Sequence, residues 1–167
     1  ARAEIAALEG SVPPEAPLWI FEGPDRFDRF TRDFSGAVPD FLHRHLLRTL
    51  ESLPAREVDG GSSGPFDLEA CRRDPDAFRG RIWTVAGRIG DLRGEPVGET
   101  GRTIHAGLLF VQGGRPVLFH VVDKPDVLVL GEDTVEARAV FVQWIEVATR
   151  SGGTVEAPFF VGKTLRR

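Results

Sequence analysis

From Arg79 onward, the apolar residues of this 167-residue chain recur with a period near two, and the first such run, "FRGRIWTVAGRIGDL" (78–92), carries Gly87 at its centre. A period of two is the signature of strands. A glycine inside a strand costs about 0.5–1 kcal/mol relative to alanine, so it marks a sharp bend, a bulge or a close backbone approach. Three further stretches extend the pattern. "TIHAGLLFVQGGRPVLFHVV" (103–122) is two apolar runs separated by Gln112-Gly113-Gly114-Arg115, a hairpin signal because paired glycines accept the positive φ of tight primed turns. "TVEARAVFVQWIEVATR" (134–150) places Val135, Ala137, Ala139, Phe141, Ile145 and Val147 on one face, with Glu136, Arg138, Val140, Val142 and Trp144 on the other. "TVEAPFFVGKTL" (154–165) supplies a last strand, whose Pro158 predicts an edge or a bulge. Five strands result, and their glycine and proline positions fit a small barrel in which a strand coils sharply to serve both halves of a closed sheet.

The first 66 residues read differently. Phe27, Phe30 and Phe34 fall at i, i+3 and i+7, the spacing of one helix face. Residues 39–53 predict a second helix, with Pro39 in its first turn, apolar residues at Phe41, Leu42, Leu46, Leu50 and Leu53, and Pro54 as its stop. "AREVDGGSSGPF" (55–66) has the small, polar composition of a flexible connection. "DLEACRRDPDAF" (67–78) predicts a short helix capped by Asp67 and ended near Asp74-Pro75. The expected organisation is therefore an N-terminal helical segment with a Gly/Ser linker over 1–66 and a β-barrel domain over 67–167, mainly β with an α+β character.

Net charge is −4, unevenly spread: residues 1–77 hold 15 acids and 9 arginines, residues 78–167 hold 10 acids and 12 bases. Only the second half has any attraction for a polyanion. Cys71 is the one cysteine, so no intramolecular disulfide forms and compartment stays open. No run approaches the ~18 apolar residues of a membrane helix. The chain begins at Ala1 and has no methionine, which suggests a processed or excised piece.

The first strand, with its G-x-x-x-x-V-x-G form in "FRGRIWTVAGRIGDL", and "VLVLGEDTVEARAVFVQW", where a Gly-acid turn announces V-x-A, resemble the two halves of an OB-fold. Over residues 78–167 the chain is similar to uncharacterised bacterial OB-fold domains grouped with the tRNA-anticodon-binding-like fold. Its closing "VEAPFFVGKTLRR" resembles the ends of domains in exported or membrane-anchored bacterial proteins. The resemblance implies a five-stranded OB-like barrel. It also implies ligand contact through the outer faces of its second and third strands and through loops at about 93–102 and 149–154.

Candidate contact residues follow. Arg93, Arg102, Arg115 and Arg150 are cations near those loops, with Arg88 and Arg138 beside them, but Glu95 and Glu99 interrupt them and the chain has two lysines and no tyrosine. Phosphate tracking and base stacking need more of both. Trp144, with Val142, forms an apolar stripe on the expected wet face of its strand, which marks an interface. The segment containing Phe27, Phe30 and Phe34, or the 39–53 helix, would cover it within the chain; otherwise a partner would. His105 and His120 lie on neighbouring strands and could meet across the ladder, whereas His43 and His45, two apart on a helix, diverge. No phosphate loop, dinucleotide fingerprint, G-x-S-x-G, H-E-x-x-H or C-x-x-C motif occurs, so neither cofactor, metal nor catalytic residue is assigned. The sequence reads as a non-catalytic interaction module of a larger, envelope-associated bacterial protein, its partner being another protein or the rest of the same polypeptide. The alternative is a binding domain for single-stranded nucleic acid or an oligosaccharide.

Overall fold

The structure, a computed structural model, describes residues 31–35, 38–97, 102–149 and 152–167. In chain order the elements are α1 (Asp40–Ser52), α2 (Ala55–Gly60), β1 (Ser62–Pro65), α3 (Leu68–Arg73), β2 (Ile82–Val97), β3 (Arg102–Val111), β4 (Arg115–Asp123), β5 (Thr134–Ala148) and β6 (Thr154–Arg166). The protein is mainly β. One six-stranded sheet runs β1-β2-β3-β4-β6-β5, and because β2 also pairs with β5 the sheet curls into a ring. Within the ring every pairing is antiparallel except β4–β6.

Gly87 sits where β2 changes partner. Residues 82–88 pair with β5, and from Arg88 onward the strand pairs with β3. A Cβ on Gly87 would lie 2.8 Å from the Phe110 carbonyl oxygen of β3, closer than real side chains approach. The glycine is thus kept for a close backbone approach at the corner. The predicted hairpin is also present, its Gln112–Gly114 turn holding Gly113 and Gly114 at φ 78° and 71°. Asp67 caps α3, its Oδ1 accepting from the Ala70 N–H at 2.9 Å.

Two apolar clusters hold the molecule together. Inside the ring lie Val85, Ile89, Leu109, Phe119, Phe141 and Phe160. Outside it, Leu42, Leu46, Leu47 and Leu50 of α1 pack on Ile82, Ile104, Val140, Val142, Phe159 and Val161. Each buried leucine contributes about 1.5–3 kcal/mol, so α1 belongs to the folded body. Lys163 of β6 completes the docking by donating to the carbonyls of Glu51 and Leu53 at the helix C-terminus, where a cation also meets the negative end of the helix dipole.

Three expectations are corrected. The segment 55–66 is α2 and β1: Ser62 Oγ meets Thr84 Oγ1 at 2.8 Å and the Phe66 N–H donates to the Thr84 carbonyl, so β1 joins β2 in parallel as a sixth strand. The first loop begins later than position 93, since β2 continues to Val97 and Val97 pairs with Arg102. Pro158 stands where its expectation places it: it pairs with Trp144 of β5 beside the bulge at Val142, and the β4–β6 ladder begins only at Phe159. The third correction concerns β5. Phe141 pairs with Phe160 and Gln143 with Phe159, so Val142 is an extra residue and the strand bulges there. One inserted residue reverses the facing of everything after it. Trp144 therefore enters the inner cluster with Phe141, and Ile145 turns to the α1 side. Phe27 and Phe30 lie outside the described residues. Phe34 lies in a turn whose N–H donates to the Trp144 carbonyl at 2.8 Å.

Candidate functional site

A broad concave region lies between α1 and the β2–β3 hairpin. Two adjoining cavities of about 520 and 580 Å³ share Arg44, Val97 and Ile104 in their walls. Helix α1 forms one side because its apolar stripe binds the outer face of the sheet while Asp40, Arg44, Arg48 and Glu51 flank it. The other side is the hairpin, with Glu95, Pro96 and Arg102, and the floor is Ile104, Val122 and Phe159.

A histidine pair lies in the first cavity. His43 Nε2 of α1 and His120 Nδ1 of β4 are 2.8 Å apart, joined by a hydrogen bond whose donor depends on tautomer. Their rings meet edge-on, and both lie near the Phe159 ring. Burial lowers the His120 pKa to about 4, with His43 adding to the effect. The His43 pKa is lowered by burial too, against the opposing pull of Asp40. Sequence reasoning singled out His120 but gave it the wrong partner. His105 pairs with Val121 while His120 pairs with Ala106, so their side chains leave opposite faces of the sheet. The signal that finds His43 is the helical spacing 43, 46, 47, 50: an imidazole on the apolar stripe of a docked helix needs a polar partner beneath it.

The other candidates lie elsewhere. Arg102 lines the second cavity and is ion-paired with Glu51 of α1. Arg93 is exposed and held by Asp91 at 2.6 Å, and Arg115, at the β3–β4 turn, pairs with Glu69 of α3. Arg150 lies outside the described residues. Trp144 and Val142 are 1 % and 0 % exposed, so the stripe read as an interface is covered from within the chain. Val142 lies under α1, whereas Trp144 is covered by residues 33–35: its backbone N–H donates to Asp33 Oδ1 at 2.9 Å and its ring stacks on Phe34.

Cys71 is not poised as a nucleophile. It is fully buried, and burial pushes its thiol up to about 12, far from the thiolate that attack requires. No group of three or more His, Cys, Asp or Glu side chains among the described residues is arranged to hold a metal ion. No helix among them is long and apolar enough to cross a membrane. Comparison with family models, curated proteins and solved structures gives no match.

Proposed function

We propose that the chain is a non-catalytic OB-fold-like module that binds a protein segment in the groove between α1 and the β2–β3 hairpin. The ring order β2-β3-β4-β6-β5, with one parallel pairing, supports the OB-like reading, and the groove lies along the outer faces of β3 and β4 beside the paired ends of β2 and β3, where OB-folds take ligands. The observation that carries the choice of ligand is the groove's chemistry. Its floor is apolar, and its rim alternates Asp40, Glu51, Glu95 and Asp123 with Arg44, Arg48 and Arg102. Arg102, Arg93 and Arg115 are each paired with a carboxylate of the same chain. A polyanion would meet those acids, whereas a peptide with an apolar anchor flanked by both charges would match floor and rim.

Selection from a random peptide library, followed by titration of the enriched peptides, tests the reading. Peptides with an apolar anchor between opposite charges are expected. Their affinity should fall at least tenfold when the rim is reversed by Arg44→Glu with Glu95→Arg, two exposed positions. Enriched peptides indifferent to that reversal would refute it. So would salt-sensitive binding of short single-stranded DNA with no peptide competition, which would favour the nucleic-acid reading instead.

A further inference from the structure

Helix α1 is anchored unevenly. Leu46, Leu47 and Leu50, in its later turns, are buried, and Lys163 holds its C-terminal carbonyls. The first turn has less. Asp40 is exposed, Phe41 is half-buried against the outer cluster, and Pro39 at the N-cap makes no side-chain hydrogen bond to the helix. Leu42 is buried there, and the only hydrogen bond from that turn's described side chains to the sheet is the one between His43 and His120.

Such a pair exists in three protonation states. With no proton added, one ring donates N–H to the bare nitrogen of the other. With one, the imidazolium donates to its neutral partner, and the bond persists. With two, both nitrogens carry hydrogens, and two like charges face each other at hydrogen-bond distance among apolar groups, an arrangement that cannot persist. The surrounding charges set how the states are spaced. On α1, Asp40 favours a charge on His43, and Arg44 lines the same cavity. On β2, Glu95 lines the same cavity. From β3, β5 and β6 the neighbours are Ile104, Ile145 and Phe159, which offer no charge. One carboxylate on the helix and one across the cavity can stabilise a single proton, and neither lies between the rings.

We propose that His43 and His120 form an acid-sensitive latch: it holds the first turn of α1 on β4 while the pair carries at most one added proton, and the second proton releases that turn and widens the groove beside Glu95 and Val97. The later turns of α1 stay docked, because their leucines and Lys163 do not titrate with the pair. The latch stands on the α1–β4 contact and holds whether or not the groove takes a peptide. Burial places the second protonation below the ordinary histidine range.

Imidazole NMR titration of the full chain from pH 8 to 3.5, with amide hydrogen exchange across the same range, tests the inference. His45, on the same helix, is also held below its ordinary pKa by burial and by Arg48, so a His45→Gln background removes its contribution. The His43 and His120 signals should shift together in coupled steps, the last below pH 5. Over that last step, protection at residues 43 and 44, corrected for intrinsic exchange, should fall at least tenfold relative to Phe141 in β5. The step should vanish in His120→Gln, whose amide preserves a hydrogen bond to His43 but adds no second charge. Should that variant not fold, His43→Gln serves in its place, and the titration of the parent chain decides by itself. Independent titration of both rings near 6.5 overturns the latch. So does a protection step that survives in the glutamine variant, or simultaneous loss of α1 and β5 protection.

Discussion

Arg79 and Asp33 face each other through two hydrogen bonds, Nη2 to Oδ2 at 2.5 Å and Nη1 to Oδ1 at 3.4 Å, with the arginine side chain 3 % exposed. The same guanidinium donates to the Val142 carbonyl at 2.7 Å and lies over the Phe141 ring, so it braces the β5 bulge from the side on which residues 33–35 lie. Removing one member of a buried pair leaves the other desolvated and uncompensated. Asp33→Ala should therefore destabilise the protein by about 3 kcal/mol, somewhat less if the exposed Asp76 takes over part of the charge. Arg79→Met should cost a similar amount, and the double substitution clearly less than the sum. Urea unfolding of the three variants measures the coupling; additive losses would show that the two groups do not act as a pair.

Trp144 fills the inner cluster only because the strand gains a residue at Val142. Trp144→Ala should cost about 3–5 kcal/mol, the range for truncating a fully buried aromatic. Phe34, stacked on it but 43 % exposed, should cost about 1 kcal/mol or less on truncation. Thermal unfolding of both variants separates an internal role for the tryptophan from an external one. A Trp144→Ala protein that melts normally would contradict the bulge geometry.

The glycines divide into those that are needed and those that are not. Gly87→Ala would drive a methyl group to 2.8 Å from the Phe110 carbonyl oxygen and should destabilise by about 1–3 kcal/mol. Gly60, the last residue of α2, has nothing within 4 Å of the added methyl and no positive φ. Gly60→Ala should leave stability unchanged or raise it by up to about 1 kcal/mol, by restricting the unfolded chain. Chemical denaturation midpoints give both signs in one experiment, and equal effects at the two positions would refute the close approach at the corner.

The readable parts of this fold were those specified by neighbours in sequence. Asp67 caps α3 three residues away, paired glycines close the β3–β4 turn, and the leucine spacing defines α1 without help from the rest of the chain. What escaped depends on distant partners. The Gly/Ser-rich stretch becomes β1 because Thr84 of β2 offers both a hydroxyl and a carbonyl to it. Face assignment along β5 held through Val142 and failed beyond it, because alternation cannot register an extra residue that only the pairing with β6 reveals. The candidate groove was least legible, since His43 and His120 are 77 positions apart and each looks unremarkable in its own element.

Cys71 supplies a prediction in which pH acts through burial. Its thiol lies against Trp144 in the inner cluster, and desolvation disfavours the thiolate enough to raise the pKa from 9.0 to about 12. The folded protein thus keeps a proton that the unfolded chain releases between those values. The unfolded state binds fewer protons there, so stability from this group is complete below pH 9 and declines as pH rises toward 12. Native protein should therefore resist an aromatic disulfide reagent at pH 8 for hours, and unfolding in guanidinium should expose one thiol per chain. Denaturation midpoints measured from pH 8 to 10.5 should fall more steeply for the parent chain than for Cys71→Ala, which has no proton to lose. Rapid labelling of the native state, or parallel pH profiles for the two proteins, would show that the sulfur is accessible and not part of the core.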